Sequence, residues 1–125
     1  MFIYMKKLKL IDGKSVELIK SCIRYYLENK SNMNFIQIMN LLFKLHYDLS
    51  DNKCTGFLLD STTSSDGIII SSIEFIIYFV DGDDRDRIEI NVNNDSNYEF
   101  NITVVEDDEV VNKFDKNNLN EFLKL

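Results

Sequence analysis

The sequence predicts an α+β fold: an N-terminal helical hairpin packed on an antiparallel sheet of three to five strands, with a short C-terminal helix. A change of pattern along the chain carries that expectation. Apolar residues recur at helical spacing over about residues 14–50, then alternate with polar ones over about residues 57–114. Segregated helices and strands favour antiparallel pairing over a parallel βαβ sheet. A length of 125 residues without an internal repeat or a long linker suits one domain over 1–125.

Asp12, Gly13, Lys14 and Ser15 read as a turn ending in a helix cap, because an Asp or Ser oxygen accepts the first free amides. Val16, Ile19, Ile23, Tyr26 and Leu27 then form one helical stripe, which ends near Lys30. Residues 31–34 break the pattern, and Asn34 with Gln37 three positions later is a variant of the capping box. Phe35, Ile38, Met39, Leu42, Leu45 and Leu49 give a second stripe, widened by Ile36, Leu41 and Phe43. So short a linker predicts an antiparallel helix pair. Residues 2–10 suit either a short strand or a lead-in.

After Lys53 the period changes. Phe57, Leu58 and Leu59 read as a short strand, residues 61–67 as a flexible Ser/Thr/Gly loop, and residues 68–80 as a strand buried on both faces. Ile88, Ile90 and Val92 alternate with Glu89, Asn91 and Asn93. Tyr98, Phe100, Ile102 and Val104 alternate with Glu99, Asn101 and Thr103. Both segments are half-buried strands, apolar side on the core. Turn signals stand at residues 81–84, 94–96 and 106–109. Val110 and Val111 extend the sheet, and Leu119, Phe122 and Leu123 mark a terminal helix over about residues 117–124.

Hydrophobic content of 45%, including nine Phe and six Tyr, is enough for a packed core and argues against global disorder. The opening Met1-Phe2-Ile3-Tyr4-Met5 is too short for a signal-peptide core, and lysines follow it. The apolar stretch over residues 67–80 is too short to span a bilayer. A cytoplasmic location without membrane association is therefore expected. Cys22 and Cys54 lack the repeated spacing of a disulfide framework or zinc site, and each reads as a small hydrophobe or a free thiol.

Catalytic motifs are missing from the sequence. The four glycines are isolated and make neither a P-loop nor a dinucleotide fingerprint, and no GxSxG is present. His46, the one histidine, has no cysteine or second histidine at ligand spacing, and reads as a partly buried or interfacial residue. A twelve-residue calcium loop fails from Asp81, where Asp86 replaces the glycine and Val92 the final acid. It fails from Asp95 too, where Phe100 replaces the glycine. Solvated carboxylates in a turn are poor general acids at neutral pH. A protein without catalytic activity, cofactor or metal is expected.

Charge is divided by position. Residues 1–56 carry nine basic and five acidic side chains, residues 57–125 five and sixteen, so +4 and −11 sum to the −7 of the whole chain. In a meander, alternate turns fall at one end of the sheet, so two acidic clusters become neighbours there. They are Asp81, Asp83, Asp84 and Asp86, and then Glu106, Asp107, Asp108 and Glu109. Such a patch can imitate a nucleic-acid backbone and compete for a basic groove on another protein. The plainer reading is that acidic turns keep a sheet soluble and its edges unpaired. Lys6, Lys7, Lys9, Lys14, Lys20, Arg24 and Lys30 are too sparse to favour direct binding of nucleic acid.

The expectation is a small acidic binding protein that inhibits or neutralises a partner by occupying a basic site, such as that of a nucleic-acid enzyme or a toxin. Toxin-immunity proteins and phage-encoded anti-defence blockers are inhibitors of this kind; the comparison rests on size, acidity and missing catalytic motifs. The alternative is a ligand-binding or self-associating module, a homodimer included. It would use the polar sheet face of Glu89, Asn91, Asn93, Glu99, Asn101 and Thr103, or a pocket between sheet and helices.

Overall fold

Helix α1 (Gly13–Asn29) opens the described part of the chain, which in this computed structural model comprises residues 13–50, 54–80, 83–95 and 98–124. The proposed lead-in at residues 2–10, and Asp12 of the proposed cap, lie outside it. The helix already runs at Gly13, and Ser15 is buried in its first turn. Ile19, Cys22, Ile23 and Tyr26 recur at three and four residues, so they share one face, and that face is buried. A single 3-10 turn (Lys30–Asn32) reverses the chain. Helix α2 (Phe35–Leu49) then begins with the predicted capping box. Asn34 Oδ1 accepts from the Gln37 amide and Gln37 Oε1 accepts from the Asn34 amide, each at 2.9 Å. Its buried face is Phe35, Ile38, Leu42, Leu45 and Leu49.

Five antiparallel strands follow in simple meander order: β1 (Thr55–Ser64), β2 (Gly67–Val80), β3 (Asp83–Asn93), β4 (Phe100–Glu106) and β5 (Glu109–Phe114). Alternation sets the faces. Ile88, Ile90 and Val92 pair with Val104, Ile102 and Phe100, and all six are buried on the side that packs on the helices. A one-turn helix, α3 (Leu119–Phe122), closes the core by setting Phe122 edge-on to Phe114, with ring centroids 5.4 Å apart.

Three local readings of the sequence are corrected. Residues 61–67 are not a flexible loop. Ser61 to Ser64 pair with Ile70 to Gly67, leaving Ser65 and Asp66 as the turn, because Thr62 and Thr63 suit a pleated strand. Residues 68–80 are not buried on both faces throughout, since Ile68 and Ile69 are exposed where the β1–β2 ribbon runs past β3. Tyr98 does not continue the alternation of β4, for its φ is 49° and the strand starts at Phe100.

The β4–β5 turn has its own signature. Asp107 and Asp108 have φ of 51° and 66°, so this two-residue hairpin is of type I′, which favours Asn-Gly. Asp107→Asn with Asp108→Gly is expected to raise stability by about 0.5–1 kcal/mol, read as a higher denaturation midpoint at unchanged m-value.

Candidate interaction surface at the acidic end of the sheet

Meander order brings the β2–β3 and β4–β5 connections to one end of the sheet, and hydrogen bonds tie them together. Asp86 Oδ1 accepts from the Asp107 amide at 2.9 Å, and the Asp108 amide donates to the Arg85 carbonyl at 3.0 Å. The two acidic runs of the sequence are thus adjacent in space. Asp84, Asp107, Asp108 and Glu109 are exposed, while Glu106 is half-buried. Asp86, 8% exposed, faces inward and holds the neighbouring turn. Asp83 is the first residue of β3, and Asp81 lies outside the described residues.

An arginine sits among these acids, and sequence reasoning overlooked it. Arg87 Nε lies 2.6 Å from Glu89 Oε2, and Nη1 donates to the Asp84 carbonyl at 2.7 Å and stands 3.6 Å from Asp108 Oδ1. Its hydrogen bond to Glu89 holds the guanidinium pKa above the ordinary arginine value. Arg87 therefore crosses from one turn to the other and fixes their spacing. Its place on the outer face, opposite Val105, was the available signal, because a cation there must reach whatever carboxylates flank it.

The same turn collects unfavourable local choices. Two aspartates occupy positive φ, and Glu106 stands directly opposite Glu109 as a like-charged pair. Neutral residues would suit this hairpin better.

The outer sheet face carries Glu74, Asn91 and Asn101 in one row, and Glu89 and Thr103 in the next. Asn93, opposite Ser72, continues that face, whereas Glu99 precedes β4 and reaches Lys116 at 3.8 Å, so the polar set named from the sequence is gathered except at Glu99. Desolvation raises the Glu74 pKa, and the charge of Glu89 raises it further. The folded state therefore holds this proton more tightly than the unfolded chain does. Its contribution to stability is complete below the unfolded pKa and is lost as pH rises through the folded value. Glu74→Gln is expected to raise the melting temperature at pH 7, with the gain over wild type gone below about pH 4. Thermal scans at both pH values check it.

Elsewhere, His46 stands edge-on to the stacked rings of Phe57 and Phe75, and its Nδ1 is hydrogen-bonded to Thr55 Oγ1. It joins α2 to the first hairpin. Burial pushes the Cys22 thiol up to about 12, so it is a protonated core residue at neutral pH, while Cys54 is exposed. A groove of about 580 Å³ opens between α1 and α2, not between helices and sheet; Leu18, Tyr25 and Met33 line it, with the Lys44–Asp48 ion pair. Lys6, Lys7 and Lys9 lie outside the described residues. On α1, Lys20 is buried beside Glu17 at 3.9 Å, and Arg24 stands 4.0 Å from the same carboxylate. Those two cations are partly neutralised.

Comparison with protein-family models, with curated proteins and with solved structures found no match. No helix among the described residues is long and apolar enough to cross a membrane. Fold and surface together define an α+β protein, a helical hairpin on a five-stranded antiparallel meander with its acidic turns gathered at one end.

Proposed function

We propose that this chain is a non-catalytic binding protein that inhibits or neutralises a partner protein by occupying a basic site on it, as immunity and anti-defence proteins do. The observation that carries the reading is the acidic end of the sheet. Two turns distant in sequence are joined there by the Asp86–Asp107 hydrogen bond and spaced by Arg87. The turn geometry adds support. Asp108 at a positive φ where the turn favours glycine, and Glu106 facing Glu109, cost stability that neutral turn residues would recover. Breaks of local rules of this kind concentrate where function opposes stability.

Mechanistically, exposed carboxylates on paired strands are preorganised, so little side-chain and loop ordering opposes association. Their summed potential attracts a cationic groove and repels anionic competitors, which makes association fast and salt-sensitive. The partner would be one whose basic groove serves a nucleic acid or another polyanion.

The test is affinity capture from the native cell by the wild-type chain, at low and at high salt. A specific partner held at low salt, released at high salt and displaced by nucleic acid is the expected result. A partner retained equally at both salts by a chain with its acidic turns neutralised would remove the proposal.

A further inference from the structure

Exposed apolar side chains gather along the β1 edge and the adjoining helix, with others at Tyr25, Ile68, Ile69 and Val110. Leu58 is 59% exposed and Leu59 48% on β1, the outer strand of the described sheet. On the adjoining helix, Ile36, Phe43 and Tyr47 are spaced by seven and four residues, so they share one face of α2, and Tyr47 is 77% exposed. Phe43 meets Phe57 of β1 with ring centroids 4.8 Å apart, which joins the helix face to the side of the strand that carries Leu59, while Leu58 projects from the outer face beside Glu74.

Natural edge strands are guarded by Lys, Pro, short length or a covering element. The far edge follows that rule: β5 has six residues, carries Glu109 and Lys113, and is followed by α3 packed on Phe114. Among the described residues β1 shows fewer guards, a register irregularity at Asp60/Ser61 being one; it has ten residues, and from Cys54 to Phe79 the chain contains no Lys, Arg or Pro.

We infer that β1 pairs antiparallel with β1 of a second copy of this chain, giving a continuous ten-stranded sheet with both α2 helices on one face of the join. A second copy presents the same ten-residue edge with the same exposed Leu58 and Leu59, and charge selects the direction. Thr55 pairs with Ile77 close to the β2–β3 turn, so β1 begins near the acidic end. Antiparallel pairing therefore sends the two acidic ends to opposite extremities of the joined sheet, whereas a parallel pair would set them side by side. Asp60, the acid within β1, lies opposite Cys54, Gly56 or Leu58 when the two-fold axis passes through Phe57, Leu58 or Leu59. No such register opposes like charges.

Area sets the strength. The surface is about 22–34 Å long, from the lengths of α2 and β1, and about 20 Å high, one sheet plus one helix. That is roughly 450–700 Å² per copy, at or below the lower end of stable interfaces, so the dimer is expected to be weak and reversible.

Sedimentation equilibrium from about 1 to about 300 µM chain should show the monomer giving way to twice the mass. Leu58→Lys, at an exposed position, should weaken that association by about tenfold or more with an unchanged circular-dichroism spectrum. In a Cys54→Ser background, a cysteine at the two-fold axis would lie about 4.5–5.5 Å from its copy, within disulfide reach, so Leu58→Cys or Leu59→Cys should oxidise to a covalent dimer. Added salt should strengthen the dimer, because two chains of net charge −7 repel, the opposite of its effect on binding at the acidic end. Variants of the acidic turns should leave the dimer intact, so either proposal can fail without the other. A wild-type chain that stays monomeric to the top of the range overturns the inference. A dimer indifferent to both Leu58→Lys and Leu59→Lys overturns it as well.

Discussion

Replacing Tyr26 with alanine is expected to destabilise the protein by about 3–5 kcal/mol, a large part of the stability of a domain this size. The ring is 2% exposed and stacked on Phe100, with centroids 3.9 Å apart and planes inclined by 16°. Its removal leaves a cavity where α1 meets β4. The hydroxyl adds a second role. It donates to the Tyr98 carbonyl at 3.0 Å and accepts from the Phe100 amide at 3.2 Å, so it closes the break in pairing that precedes β4. Tyr26→Phe keeps the ring and loses both bonds, and should cost about 1–3 kcal/mol through groups left unsatisfied. Denaturant midpoints at constant m-value separate the two contributions. A Tyr26→Phe chain as stable as wild type would assign the whole effect to packing.

Titration gives an independent check on that hydroxyl. Burial raises its pKa above the ordinary tyrosine value of 10.0. The stabilising contribution is therefore present below pH 10.0 and is lost as pH rises through the higher folded value. Alkaline destabilisation should be smaller in Tyr26→Phe than in wild type.

The other large effect concerns association. The variant Asp84→Lys, Asp107→Asn, Asp108→Asn, Glu109→Lys shifts the acidic end by six units of charge, two for each lysine and one for each asparagine. The asparagines preserve tolerance of positive φ at the turn. Steering by a concentrated field changes on-rates by about 10–1000-fold, so the association rate with the captured partner should fall at least about tenfold at low salt. The difference should shrink as the Debye length drops from about 10 Å at 0.1 M salt to about 3 Å at 1 M. Dissociation should change less. Stability should change little, because loss of the Glu106–Glu109 repulsion offsets loss of the exposed Arg87–Asp108 ion pair. Surface-plasmon kinetics over a salt series measure the first effect and thermal melts the second. An association rate unaltered at low salt would remove this end of the sheet as the contact surface.

Legibility followed the range of the forces involved. Helix α2 was readable to its first residue, because an amphipathic stripe and the Asn34–Gln37 capping box are local features. Strands β3 and β4 were readable as half-buried, because period-two alternation is also local. Tyr98 misled, since its alternating position belongs to a strand while the Tyr26 hydroxyl, 72 residues away, takes its carbonyl. The β1–β2 ribbon misled in two ways. A polar Ser/Thr run paired because the strand opposite supplied the ladder, and Ile68 stayed exposed because no described strand extends far enough to cover it.

The candidate site divides along the same line. That residues 57–125 are acidic, and that acids stand in two turns, is a property of composition and turn chemistry. Only the tertiary structure decided that Asp86 faces inward to the Asp107 amide, that Arg87 joins the two runs, and that Asp84, Asp107, Asp108 and Glu109 stay on the surface. The physical reason is distance along the chain. Helical stripes, caps and strand alternation arise between residues a few positions apart. The meeting of residue 86 with residue 107 exists only once strands β3 and β4 have paired in register.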